Sequence, residues 1–223
     1  MLKSHFHTSI NEAGCDEAGR GPLAGPVFAA AVIFPPDYSN ALLDDSKKLS
    51  ENRRNILREQ IERDSVAFSV AFCTNEEIDK YNILNASILA MHRALDGLSV
   101  RPNYIIVDGN KFKPYPTASP EVFLKTKFLK ERNSDIFEQT DTERQVPFST
   151  IVKGDGKFMS IAAASILAKT YRDAYMDLLH RAYPVYGWNT NRAYPVSAHY
   201  AAIRKHGITP FHRLSFRIET TAF

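Results

Sequence analysis

Four carboxylates of this 223-residue sequence stand at the ends of predicted strands, each close to a glycine. Asp16 and Glu17 end the first such strand, Asp108 ends the fourth, and Asp155 follows the fifth. Functional sites often gather where strands end, because the loops diverge there. Carboxylates that converge would repel one another, and a bound cation would offset that repulsion. The pattern therefore indicates a cation site built from these four acids.

The ligand type narrows the choice of ion and of reaction. Oxygen ligands favour Mg²⁺ or Mn²⁺ over zinc, and two such ions could activate a water and stabilise the leaving oxygen of a phosphodiester. From spacing alone, ordinary solvated carboxylates remain an open alternative, and Asp155 could instead cap the following helix. Adjacent strand residues point to opposite faces, so Asp16 and Glu17 could share a site only where the strand ends or bulges.

A glycine-flanked arginine follows the first two acids, in Gly19-Arg20-Gly21. The glycines would let backbone N–H groups approach a ligand closely, and the arginine could meet a phosphate; the alternative is an ordinary turn. Lys47 and Lys48 precede a predicted helix, where they could contact phosphate or simply be exposed.

Basic residues are concentrated near the C-terminus. The whole chain carries a formal net charge of +3, yet residues 167–217 hold eight Lys and Arg against two acids. We interpret the cluster as phosphate-binding, with Lys169 and Arg172 as candidates, although Arg172 with Asp173 could equally be a surface ion pair. Tyr194 lies in this region and could stack on a nucleotide or belong to the core.

The elements that must position these residues follow from hydrophobic periodicity and turn signals. The order is three strands, then helices, then strands alternating with helices, which predicts an α/β fold with a mixed sheet. A shift in composition over about 114–147 indicates an inserted excursion, with a short helix possible at 120–131. Strands are predicted over 9–17, 25–34, 66–73, 103–107 and 148–153, and helices over 49–63, 82–95, 158–181 and 197–205.

Composition and length exclude several classes of protein. The chain suits a single domain, 1–223, whose C-terminal helical region, about 182–223, would bind substrate. Only two cysteines occur, which excludes a cysteine zinc site. The longest apolar run is too short for a bilayer and the N-terminus lacks a signal-peptide core, so we expect a cytoplasmic protein with no membrane association.

Several strings then match one family in order along the chain. The sequence closely resembles ribonuclease HII, beginning with the signature Asp-Glu-Ala-Gly-Arg-Gly-Pro-Leu-Ala-Gly-Pro-Val. The matching strings are Asp16–Val27, Asp45–Leu49, Val107–Asn110, Val152–Asp155, Ala162–Lys169, Arg172–Asp173 and His212–Phe216.

The resemblance implies a ribonuclease H-like fold, with a five-stranded mixed sheet flanked by helices. It implies that the four acids bind Mg²⁺ or Mn²⁺, two ions during catalysis, and that the enzyme cuts RNA in RNA–DNA hybrids. It also implies cutting on the 5′ side of a ribonucleotide embedded in duplex DNA, giving 3′-hydroxyl and 5′-phosphate ends. Gly19-Arg20-Gly21 would read the 2′-hydroxyl and Tyr194 would stack on the junction sugar; we expect a monomer, and no protein partner is evident.

Two positions depart from the family pattern. Ala193 stands where the family usually has a glycine before the junction tyrosine, and Gly156 replaces a common serine. The rival hypotheses are a junction resolvase, which would cut branched all-DNA substrates, and a non-catalytic nucleic-acid-binding protein, whose binding would survive EDTA.

Overall fold

The computed structural model describes residues 2–7, 11–116 and 145–217. Five strands form one mixed sheet in the order β3-β2-β1-β4-β7. The α/β fold and its five-stranded sheet, predicted from the sequence, are therefore confirmed. The strands are β1 (Glu12–Ala18), β2 (Val27–Ile33), β3 (Ala67–Cys73), β4 (Tyr104–Asp108) and β7 (Phe148–Ile151), while β5 (Tyr115–Pro116) and β6 (Gln145–Val146) form a separate antiparallel ribbon.

The helices agree with the four predicted ones except for two short additions. Ser50 caps α1 (Glu51–Asp64), since its side chain accepts the Arg53 N–H. The additions are α2 (Asn75–Tyr81), which begins at a capping box between Thr74 and Glu77, and the four-residue α5 (Trp188–Asn191). The helices are α1 (Glu51–Asp64), α2 (Asn75–Tyr81), α3 (Ile83–Asp96), α4 (Met159–Ala182), α5 (Trp188–Asn191) and α6 (Ser197–His206).

Each face of the sheet has its own hydrophobic layer, because side chains alternate along every strand. Ala13 and Cys15 of β1 pack with residues of α3 in one cluster. Ala18, two residues after Asp16 and hence on its face of β1, packs with residues of α4 and α1 in the other cluster. The strand pairing therefore decides which helix each candidate side chain meets.

Helix α4 lies against β1 at Gly14. A Cβ at this position would come within 2.5 Å of the Ile161 backbone nitrogen. The alanines at the start of α4, Ala162 to Ala164, are completely buried. Small residues on both elements allow this close approach, which brings the loop before α4 to the end of β1.

The predicted excursion begins and ends in the ribbon of β5 and β6, where Tyr115 pairs with Val146. Its interior, including the possible helix at 120–131, lies outside the described residues. After α4, a C-terminal helical region packs its own cluster around Trp188 and Tyr186 against Leu23 and Ala24. None of the described helices combines the length and apolar character needed to cross a membrane.

Candidate active site

Three carboxylates converge at one edge of the sheet. Oxygens of Asp16, Asp108 and Asp155 all lie within 4.8 Å of one another. β1 and β4 run parallel with Cys15 opposite Val107, so Asp16 and Asp108 follow side by side on the two strands. Asp155 lies in a short 3-10 turn after β7, and the N–H of the preceding Gly154 donates to Asp108 Oδ1 at 2.7 Å. These three acids converge as the sequence predicts, except that Asp16 lies inside β1, two residues before its end at Ala18.

Burial and mutual repulsion define the electrostatics of the cluster. Asp16 and Asp155 are each only 5% exposed. Burial, followed by the charges of Glu17 and Asp108, raises the pKa of Asp16 well above its ordinary value, although hydrogen bonds from Ser165 and from the Glu17 N–H oppose this. A divalent cation would favour the ionised forms, so the donor set fits a hard cation with oxygen ligands.

Glu17 lies on the face of β1 opposite to that of Asp16. Within the described β1, the strand break or bulge that would place both acids on one face is absent. The register between β1 and β2 runs without interruption from Ala13 opposite Ile33 to Ala18 opposite Phe28. The strand therefore neither ends nor bulges at the acidic pair, and Glu17 shares the α3 face with Cys15. It still reaches the sheet edge, where it lines a small cavity of about 90 Å³ together with Asp108.

The surroundings of Glu17 also affect its charge. Burial raises the pKa of Glu17, while the nearby guanidinium of Arg20, 3.1 Å from Glu17 Oε1, opposes that shift.

Asp155 does not cap α4, because the N-cap position of that helix is Phe158, without a side-chain hydrogen bond. The helix-cap alternative for Asp155 is thereby excluded.

The glycine-flanked arginine and the tyrosine lie next to each other. A Cβ at Gly21 would be 3.5 Å from Tyr194 Cε1, and the tyrosine is 40% exposed. The tyrosine follows a turn in which Arg192 (φ 51°) and Ala193 (φ 63°) both adopt the left-handed conformation. Ala193 thus reaches the backbone region for which the family's glycine is suited.

Lysines surround the acid cluster on its open side. Lys48, Lys153 and Lys157 line a cleft of about 500 Å³ together with Asp108 and Asp155. Lys48 is exposed and pairs with Asp44 at 3.0 Å, so it can exchange that partner for a phosphate. The sequence reasoning did not select Lys153 and Lys157, although they flank Asp155 in the sequence. The backbone of Lys47 lies in the 3-10 turn Ser46–Lys48, and its side chain is outside the description.

The prediction that Arg172 contacts phosphate is wrong for this fold. Its side chain is only 1% exposed, and its guanidinium donates to the carbonyl oxygens of Ala24, Pro26 and Arg192. Lys169 lies one turn earlier on α4, where its Nζ forms an ion pair with Asp173 at 2.7 Å.

Comparison with known proteins identifies the family of this chain. The sequence model of the family described as Ribonuclease HII matches residues 13–219. This chain belongs to the ribonuclease HII family. It is therefore a hydrolase, a nuclease of the ribonuclease H type, as the motifs predict.

The relatives and structures cover almost the whole chain. Ribonuclease HII of Phocaeicola vulgatus is 51% identical over 98% of this chain and 94% of its own length. Ribonuclease HII of Christiangramia forsetii is 49% identical over 97% of this chain and 96% of its own. The crystal structure of ribonuclease H2 from Pyrococcus horikoshii superposes with a TM-score of 0.66 at 25% identity, over 94% of each chain.

A more distant structure shares the fold alone. The Mn²⁺ complex of Bst-RNase HIII has a TM-score of 0.58 at 20% identity, over 89% of this chain and 63% of that chain.

Proposed function

We propose that this protein hydrolyses the RNA strand of RNA–DNA hybrids and cuts on the 5′ side of ribonucleotides embedded in duplex DNA, leaving 3′-hydroxyl and 5′-phosphate ends. The observation that carries the proposal is the cluster of Asp16, Asp108 and Asp155, whose oxygens lie within 4.8 Å of one another. Glu17 at the same sheet edge and the adjoining pair of Gly21 and Tyr194 support it, because a nuclease of this specificity needs both a hydrolytic centre and a reader of the ribose.

Mg²⁺ or Mn²⁺ fits the acid cluster, and the distant relative Bst-RNase HIII is described in complex with Mn²⁺. When bound, two such ions supply charge stabilisation for the attacking and leaving oxygens of the phosphodiester. Asp16, Glu17 and Asp108 would hold the ions, and Asp155 would hold an ion or orient the attacking water. The short separation of the acids favours ions held in common by these side chains.

The remaining residues bind and orient the substrate. The turn Gly19-Arg20-Gly21, exposed at Arg20 and Gly21, would read the 2′-hydroxyl, which is the local mark that separates RNA from DNA. The exposed ring of Tyr194 would stack on the sugar at the junction. Lys48, Lys153 and Lys157 around the cleft would hold backbone phosphates as point charges, and Lys47 and Lys169 are further candidates for this role.

We further propose that the protein acts as a monomer in the cytoplasm. The substrate itself is the only partner that this function requires.

Asp16→Asn tests the proposed function. We expect the variant to lose at least about 100-fold of the cleavage of a duplex with one embedded ribonucleotide, because one ligand and one negative charge leave the cluster. Asp37→Asn, at an exposed position outside the site, is the matched control and should cleave normally. Wild-type cleavage by Asp16→Asn would refute the proposal.

Substrate and metal controls separate the rival functions. Cutting of a branched all-DNA substrate without cutting of hybrids would identify a resolvase instead. Binding that survives EDTA, with no cleavage under either Mg²⁺ or Mn²⁺, would identify a non-catalytic binding protein.

A further inference from the structure

Two arginines are buried beneath the surface formed by Gly19-Arg20-Gly21 and Tyr194. Arg172 of α4 is 1% exposed and Arg213 of the C-terminal segment is 0% exposed. Burial lowers the pKa of Arg172 to about 10 and that of Arg213 to about 9, so both stay protonated at neutral pH. Neither guanidinium can meet a phosphate in this arrangement, and the sequence reasoning did not select Arg213 at all.

Arg213 holds the loop that begins with the glycine-flanked arginine. Its Nη2 donates to the Gly19 carbonyl at 2.7 Å, its Nη1 to the Arg20 carbonyl at 2.9 Å, and its Nε to the Gly25 carbonyl at 2.9 Å. In a trans peptide the N–H points opposite to the C=O. The first two bonds therefore turn the N–H groups of Arg20 and Gly21 away from the buried guanidinium, and both of these residues are exposed.

Arg172 joins the same loop to the turn before the tyrosine. Its Nε donates to the Pro26 carbonyl and its Nη2 to the Ala24 carbonyl, while Nη1 and Nη2 both reach the Arg192 carbonyl at 3.2 Å. Its side chain also packs so closely on Gly19 that a Cβ there would overlap Arg172 Nε and Cδ.

The turn that precedes Tyr194 depends on hydrogen bonds from neighbouring groups. Arg192 and Ala193 are consecutive non-glycine residues in the left-handed region, a conformation that persists only where neighbouring groups hold it. The Arg192 carbonyl is held by Arg172, and the Ala193 carbonyl accepts the Leu23 N–H at 2.8 Å. The backbone at Arg192 is therefore tied by one side chain to the loop that contains Gly19.

We propose that Arg172 and Arg213 are positioning residues that set the distance and orientation between Gly19-Arg20-Gly21 and Tyr194, and so determine selectivity for ribonucleotides. This inference rests on the proposed function, because it concerns how that function distinguishes RNA from DNA. A recognition group must be held within about 0.5 Å of its productive geometry to be selective. Arginine suits this role because its planar fork reaches several carbonyls at once, which lysine cannot do.

The test compares Arg172→Lys and Arg213→Lys in the Asp16→Asn background, in which cleavage should be at least about 100-fold slower. Fluorescence anisotropy measures the affinity for a duplex with one ribonucleotide and for the same duplex in all-DNA form, over a range of salt concentrations. We expect each lysine variant to lose about 10- to 100-fold of the preference for the ribonucleotide. The slope of log affinity against log salt should stay unchanged, since no phosphate contact is removed.

Lys48→Met in the same background is the matched control for a phosphate contact. It should lower the magnitude of the salt slope by about 1 and leave the preference for the ribonucleotide intact. Arg172→Met, which also removes the positive charge, serves as the second variant, and thermal unfolding verifies that each protein is folded.

The outcomes separate this inference from the function on which it rests. If the Asp16→Asn parent binds both duplexes equally, ribonucleotide reading itself fails, and the inference fails with it. If the parent discriminates and the lysine variants discriminate as well, the inference alone is overturned. A salt slope that falls by about 1 in Arg172→Met would also overturn it, because that result would assign Arg172 to a phosphate.

Discussion

Gly19 and Gly21 lie in the same turn, but their surroundings differ. Gly19 has φ +95° and lies against the side chain of Arg172, so an added methyl group would meet both backbone strain and a steric clash. Gly21 has no such strain, and the nearest atom to an added Cβ is Tyr194 Cε1 at 3.5 Å, an ordinary contact. Substitution of Gly19 should therefore lower stability, whereas substitution of Gly21 should affect the contact with Tyr194.

We predict that Gly19→Ala lowers the free energy of unfolding by at least about 2 kcal/mol, because the left-handed backbone penalty adds to the clash. Gly21→Ala should unfold like the wild type, yet cleave an embedded ribonucleotide more slowly, because the methyl group enters the space beside Tyr194. Urea denaturation and a cleavage assay measure both effects. Equal stability of the two variants would contradict the prediction.

Tyr194 presents an exposed ring rather than a buried one. If the ring stacks on the sugar, Tyr194→Ala should reduce cleavage at a single ribonucleotide by about 10- to 100-fold, as the loss of a stacking contact does. Tyr194→Phe keeps the ring and is the matched variant, so it should stay close to wild type. Near-normal cleavage by both variants would remove the stacking role.

At the scale of elements, the acid cluster depends on how closely α4 lies against β1. Asp16 is on β1, and Asp155 is on the turn that leads into α4, so their separation follows the spacing of these two elements. Gly14 sets that spacing, because its missing side chain leaves room for the backbone of Ser160 and Ile161.

Gly14→Ala should therefore lower the free energy of unfolding by about 3 kcal/mol and weaken Mn²⁺ binding, since backbone atoms cannot move aside cheaply. Gly156→Ala is the matched control: among the described atoms nothing lies within 4 Å of an added Cβ. Its stability should stay within about 0.5 kcal/mol of wild type. Urea denaturation and calorimetric Mn²⁺ titration measure the two quantities, and a stable Gly14→Ala that binds Mn²⁺ normally would contradict the argument.

At the scale of the whole molecule, buried histidines make stability depend on pH. Burial lowers the pKa of His92 and that of His212 to about 4 each, from an ordinary value of 6.5. Between these values the unfolded chain binds more protons than the folded one, so stability falls as pH falls from 6.5 to 4. The acid cluster acts in the opposite sense, because burial raises the pKa of Asp16.

We predict that His92→Gln reduces the loss of unfolding free energy between pH 7 and pH 4 by up to about 3 kcal/mol relative to wild type. The acid cluster is the same in both proteins, so the difference between their pH profiles of unfolding free energy reports on His92. Urea denaturation at several pH values measures it, and parallel pH profiles would contradict the assignment.

Local patterns in the sequence were sufficient to predict much of the fold. Strand alternation and helical periodicity predicted the five sheet strands and four of the helices, because these signals depend on residues close together in the chain. The short helices α2 and α5 were missed, although for α2 Thr74 and Glu77 form a capping box that a search for that motif would have found.

By itself the sequence determined the family, the four candidate acids and the strands that carry or precede three of them, since ordered motifs and strand periodicity are properties of the chain alone. Only the tertiary structure decided that Glu17 faces α3 and that Arg172 is buried. The physical reason is that both depend on distant partners. The pairing of β1 with β2 decides the face of each acid, and carbonyls as far away as Ala24 and Arg192 decide whether an arginine meets solvent or the core.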